Sequence, residues 1–180
     1  MAVREPDLLY HSYLSIGLGS DSNALSDTAD EAQNIFYDGF YSSFDATVVS
    51  SPDITFTSSN GRITFGAGGT YLIVGHVPPT VSASTTVTLK MYKNGVQFFQ
   101  SAAVGGFTAF DPSDLTFHTI YDFAAGDYIT VKIATSDTDT VTVQNGTALV
   151  LLKANGDYGN LMYTGGANEG AANTVEAIGD

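Results

Sequence analysis

The chain of 180 residues contains no cysteine and no tryptophan. Without cysteine there is no disulfide, no thiol nucleophile and no thiolate metal site. Basic residues are scarce too: 6 Lys and Arg stand against 19 Asp and Glu, a formal net charge of −13. Binding to a phosphate backbone needs clustered Lys and Arg, and so does docking on an anionic membrane surface. Neither nucleic acid nor a membrane is therefore expected as a partner. No run approaches the ~20 apolar residues of a membrane-spanning helix. The opening residues Met1-Ala2-Val3-Arg4-Glu5-Pro6-Asp7 lack the basic flank and apolar run of a secretory signal.

Apolar residues make up 43% of the chain, with 19 glycines, 10 tyrosines and 11 phenylalanines. That content is too apolar for a disordered chain, and the length suits one domain with residues to spare. The charge is uneven. Residues 1–45 carry eight acids and one base, residues 46–153 carry seven acids and five bases, and residues 154–180 carry four acids and no base. The texture changes at the same places. This divides the chain into an acidic N-terminal arm (1–45), a strand-rich domain (46–153) and a Gly/Ala/Asn-rich C-terminal arm (154–180).

The middle part is rich in Val, Ile, Thr, Tyr and Phe, cut by Gly, Asn and Pro every several residues. That is an all-β pattern. Asn60-Gly61 separates two strand-like runs, and Asn94-Gly95 separates two more. Asn-Gly between such runs marks a hairpin, because both residues accept positive φ. Asn145-Gly146 and Asn155-Gly156 bracket the last apolar run, and Pro78-Pro79 ends the strand that begins at Thr70. Residues 87–93 and 129–133 alternate apolar and polar side chains, as half-buried strands do. Residues 71–74 and 148–152 are apolar at both parities and should be covered on both faces. Either the N-terminal arm or another copy of the chain supplies the second covering.

The order of these motifs resembles the jelly roll of the tumour necrosis factor and complement C-one-q superfamily. The matching residues are Asn60-Gly61-Arg62-Ile63-Thr64-Phe65, the run from Gly68-Gly69-Thr70-Tyr71 to His76-Val77, Leu89-Lys90-Met91-Tyr92-Lys93-Asn94-Gly95, and Phe123 with Gly126-Asp127-Tyr128-Ile129-Thr130-Val131. The final aliphatic strand at 149–152 completes the series. The resemblance implies a ten-stranded, two-sheet jelly roll and a homotrimer whose inner sheet is covered by neighbouring copies. On that basis Tyr71, Ile73, Phe117, Tyr121, Leu149 and Leu151 are the expected trimer-interface residues. The receptor-binding residues of animal members do not carry over, because their loops do not match.

The N-terminal arm opens on a partly alternating run at 8–18 and then offers a helix start, with Ser26 or Asp27 as N-cap. An aromatic cluster follows: Phe36-Tyr37, Phe40-Tyr41 and Phe44. The C-terminal arm has little to bury beyond Leu161, Met162, Tyr163, Val175 and Ile178. Leu8, Tyr10, Tyr13, Phe36, Tyr37 and Tyr163 are the apolar arm residues expected to meet a partner.

Catalytic chemistry finds little support. His11, His76 and His118 lack metal-ligand spacing. No Gly-x-Ser-x-Gly elbow occurs, and Gly66-Ala67-Gly68-Gly69 leads into a strand with no Gly-Lys-Ser/Thr after it. Asp111 with Asp114 and Asp137 with Asp139 are loop carboxylates of a type that can hold calcium, but solvated loop acids are the commoner outcome. No cofactor, no metal and no enzyme activity are expected. The reading that follows is a non-enzymatic virion structural protein: a trimeric decoration, or cement, protein on the outer capsid surface of a bacteriophage, binding the major capsid protein through its arms. The alternative is a receptor- or carbohydrate-binding tip of a phage fibre, or a secreted complement-like module, using loops near 105–114 or 136–139.

Overall fold

The computed structural model describes residues 12–26, 33–81, 85–101, 104–107, 114–136 and 140–154. Among them run fifteen strands: β1 (Tyr13–Leu18), β2 (Leu25–Ser26), β3 (Gln33–Asn34), β4 (Ala46–Ser50), β5 (Ile54–Thr57), β6 (Arg62–Phe65), β7 (Gly69–Val77), β8 (Pro79–Val81), β9 (Thr85–Lys93), β10 (Val96–Gln100), β11 (Val104–Phe107), β12 (Leu115–Phe123), β13 (Tyr128–Thr135), β14 (Thr140–Val143) and β15 (Ala148–Ala154). One sheet has the order β12-β7-β15-β1-β4, and the other has the path β10-β9-β13-β6-β5. These ten principal strands form the expected all-β jelly roll. The short β3 and β11 add to the second sheet, and β2-β14-β8 form a small third one.

The turns follow their residues. Asn94 and Gly95 both take positive φ, 51° and 85°, so the β9–β10 hairpin turns where both residues tolerate the left-handed region. Strand β7 stops at Val77, and Pro79 stands first in β8, where its missing N–H breaks no interior ladder bond.

Two motifs that the sequence places thirty residues apart bond to each other. Asp127 accepts from the Lys93 ammonium at 2.9 Å, the Asn94 amide at 2.6 Å and the Ala124 N–H at 2.7 Å. Asn94 in turn accepts from the Tyr128 N–H at 3.0 Å. These donors, with the Lys93 hydrogen bond foremost, hold the Asp127 carboxyl down at about 2. A carboxylate lowered in the folded state stabilises it above the unfolded value of ~3.9 and loses that contribution as pH falls through the folded value. Asp127→Asn should therefore lower the melting temperature by a few degrees near neutral pH. The gap to the unsubstituted protein should close as both are melted at pH values descending from about 4 to about 2. A gap that stays constant with pH would exclude the ionised clamp.

The core lies between the two sheets. Leu14, Ile16, Tyr71, Ile73, Phe117, Leu149 and Leu151 point inward from the first sheet. Ile63, Phe65, Leu89, Met91, Val131 and Ile133 point inward from the second. Phe65 fastens the layers together: its ring stacks on Phe123 at 4.1 Å and meets the edge of Tyr71 at 4.7 Å. Burial raises the Tyr71 phenol above its ordinary range, and that phenol donates to the Ala67 carbonyl at 2.8 Å. Gly75 stands directly opposite Phe117, and a Cβ there would sit 2.1 Å from the ring. The glycine makes room for an aromatic side chain inside the sandwich.

The expected N-terminal arm is corrected by these contacts. Strand β1 lies inside the first sheet, with Ile16 opposite Leu149 on one side and Val48 on the other. A strand as apolar as β15 needs backbone partners along both edges; β7 supplies one and β1 the other. Ser12 and Ser51 both donate to the Asp53 carboxylate, fastening the entry of β1 to the turn before β5. Burial opposes ionisation of Asp53, but these hydroxyls outweigh it and lower its pKa. Residues 33–41 also join the core: Ile35 and Phe36 are buried, Ile35 N–H donates to Val131 at 3.0 Å, and the buried Tyr41 hydroxyl donates to Ile35 at 2.5 Å. Ser26 forms part of β2 opposite Thr140, not a helix N-cap, and 27–32 lie outside the described residues. The charge division shifts accordingly. Asp21 accepts from the Asn145 N–H at 2.7 Å and Asp38 from the Ser58 hydroxyl at 2.9 Å, so both acids belong to the folded domain.

Candidate interaction surface

Antiparallel pairing puts directly opposed residues on the same face. The registers of the first sheet therefore define its outward side. Ile120 stands opposite Leu72, Leu72 opposite Leu152, and Leu152 opposite Tyr13. The next row runs His118, Val74, Val150, Ser15 and Val49, each opposite the next. Two rows thus cross all or most of the sheet. Their large apolar members are exposed: Val49 51%, Leu152 44%, Val74 43%, Ile120 41% and Tyr13 39%. Leu72 and Val150 are half-buried. Nothing among the described residues lies over this face.

The rim of the face is polar. His76 lies 3.2 Å from the Asp114 carboxylate and 3.3 Å from the Gly146 carbonyl. Thr70 donates to Asp122 at the other end of the β7–β12 pair. An apolar centre with a polar border is the anatomy of a protein interface, and an exposed contiguous apolar patch on a soluble domain marks an interaction site.

Most of the expected interface residues lie on the opposite side of the same strands. Tyr71, Ile73, Phe117, Leu149 and Leu151 are buried in the chain's own core. They alternate with the exposed residues, and a shift of one position moves every side chain to the other face. Tyr121 is partly exposed at 36%, but it sits at the side of the sandwich. There it packs on Phe98 at 4.4 Å and Phe123 at 5.4 Å, with the Lys93 ammonium 5.3 Å from its ring. The sequence shows these strands as apolar on both sides but does not show which parity faces outward. The missing signal was the partner strand across the sandwich, which decides what inward means.

The expected arm residues divide similarly. Tyr13 does lie on the outward apolar face. Phe36 is buried and cannot meet a partner. Tyr37 is half-buried against Phe40, at 4.9 Å edge to face. Leu8, Tyr10 and Tyr163 lie outside the described residues, as do His11, Asp111, Asp137 and Asp139. His76 and His118 both stand on the outward side of the first sheet.

Neither a family model nor a curated protein sequence matches the chain. Solved structures do share its fold. The Eiger TNF from S. frugiperda aligns over 80% of this chain and 94% of its own, with a TM-score of 0.53 and 13% identity. Murine APRIL at pH 5.0 aligns over 80% of this chain and 99% of its own, with a TM-score of 0.55 and 16% identity. At these identities the likeness is one of fold: the chain has a TNF-like jelly roll.

Proposed function

We propose that the protein is a non-enzymatic binding module that works as a homotrimer, its copies packed through the outward face of the β12-β7-β15-β1-β4 sheet. The observation that carries this reading is the pair of exposed apolar rows across that sheet. Burying a Val, Leu or Ile side chain contributes ~1.5–3 kcal/mol, so several per copy suffice to hold subunits together. A closed ring of three copies covers one face of each and leaves no free edge of the assembly to propagate. The TNF-like fold supports the threefold choice, since the sequence resemblance implies that arrangement.

The specific setting we propose is decoration of a bacteriophage head, with the trimer bound to the major capsid protein on its outer surface. Residues 155–180 carry four acids and no base, and they follow β15 directly. Three such acidic segments on one trimer would reach basic patches on adjacent capsid subunits, and linkage multiplies weak contacts into tight binding. Light scattering coupled to size exclusion tests the trimer; a single-chain mass at micromolar concentration sinks it. Sedimentation with capsids assembled without the protein tests the setting. Saturable co-sedimentation that is lost on removing 155–180 is expected, and a trimer that stays in the supernatant overturns the capsid role.

A further inference from the structure

The second sheet carries a site of different character. An open groove of about 710 Å³ lies over the outward side of β9, β13 and β6, walled by Gln33, Asn34, Tyr37 and Phe40. It is lined by four aromatic rings, Tyr37, Phe40, Tyr92 and Tyr128, and by two cations, Arg62 and Lys132. In a chain with 19 acids and 6 bases, the described residues lining this groove include two bases and no acid.

The cations are held in place by aromatic faces. The Arg62 guanidinium lies 4.1 Å from the centre of the Tyr128 ring, and the Lys132 ammonium 4.8 Å from that of Tyr92. Neither has a carboxylate within salt-bridge distance among the described residues. A cation over an aromatic face keeps its outward N–H groups for a further acceptor. The wall is also fixed. Tyr37 meets Phe40 edge to face at 4.9 Å, and Gly39 leaves space that the Tyr37 ring fills, since a Cβ there would lie 2.5 Å from it. Asn34 donates to the carbonyls of Asn60 at 3.0 Å and Gly61 at 3.2 Å, which ties that wall to the turn before β6. Preorganised walls of this kind reduce the ordering cost of binding.

We propose that this groove binds a saccharide carrying a carboxylate, of the hexuronic acid type. Aromatic rings offer flat apolar surface to the C–H face of a pyranose ring. Asn60, Ser59 and the tyrosine hydroxyls supply donors and acceptors for its hydroxyl groups. Arg62 and Lys132 take the carboxylate, Arg62 in the fork geometry that suits it. An extended acidic peptide would use the cations but has no need of this ring-and-amide lining. A phosphate chain would call for more than two cations. The site lies on the opposite sheet from the apolar face and does not depend on self-association.

The full chain should be titrated calorimetrically with oligogalacturonate, oligomannuronate, a neutral gluco-oligosaccharide and polyglutamate. Binding of at least one uronate oligomer is expected, weakened by added salt, with the neutral sugar and polyglutamate inert. Arg62→Gln and Lys132→Gln should each weaken it about tenfold or more. Lys153→Gln, the same charge change away from the groove, should leave it intact, and all variants should keep the unsubstituted melting temperature. No binding of either uronate, equal binding of polyglutamate, or equal loss in Lys153→Gln overturns the proposal.

Discussion

Val74→Asp is expected to convert the proposed trimer into monomers of 18.9 kDa, read as mass by light scattering on the eluting peak. Val74 stands in the middle of the outward face, opposite His118 on one side and Val150 on the other. In the proposed assembly each copy loses ~1.5–3 kcal/mol of apolar burial. Each copy must also desolvate a carboxylate, or bring it beside its symmetry mates, at a further cost of several kcal/mol. Since ~1.4 kcal/mol is tenfold in an equilibrium constant, dissociation should shift by several orders of magnitude. The monomer should remain folded, because the Val74 side chain takes no part in the inter-sheet core; strand propensity costs it at most ~1 kcal/mol. Far-ultraviolet dichroism checks this. Leu152→Asp, in the neighbouring row, should behave in the same way. A variant that stays trimeric would place the contact on another face.

Phe65→Ala is expected to cost ~3–5 kcal/mol of folding stability, the range for an aromatic deleted from a packed core. Phe65 is fully buried and joins the sheets through Phe123, at 4.1 Å with planes 7° apart, and through Tyr71. Deleting it removes the stacked partner of Phe123 and leaves a void that β6 and β12, one in each sheet, cannot close without sliding. Denaturant unfolding should show a lower midpoint at unchanged slope, with Phe65→Leu losing less because much of the volume stays filled. If both substitutions cost under ~1 kcal/mol, the cluster is not the fastening that the geometry indicates. Carried out on the Val74→Asp background, the measurement separates core stability from the proposed assembly.

Much of the fold was legible in the sequence because its signals are local. Asn94-Gly95 turns where positive φ is needed, and Val87, Leu89 and Met91 alternate inward as read. Residues 13–18 were less clear. Their alternation suggests a strand, but acidic surroundings and the change of texture suggest an arm. Its partners, β15 and β4, lie some 30 to 140 residues away along the chain, and no local pattern announces such pairing. The aromatic cluster at 36–44 divides in a way that no local pattern announces either. Phe36 packs edge to face on Phe56 at 6.2 Å, while Tyr37 turns to the groove.

The candidate surface illustrates the limit most sharply. Composition and periodicity established that residues 71–74 and 149–152 are apolar at both parities, and hence that two coverings are needed. Only the packed sandwich decided that Tyr71, Ile73, Leu149 and Leu151 meet the opposite sheet while Leu72, Val74, Val150 and Leu152 remain outside. The reason is that a strand's period of two makes its faces equivalent until something covers one of them. The scarcity of basic residues was likewise plain from the sequence. That Arg62 and Lys132 share one groove, and that Asp127 is bound to Lys93 and Asn94, was decided by strand pairing, which brings β6, β9 and β13 side by side.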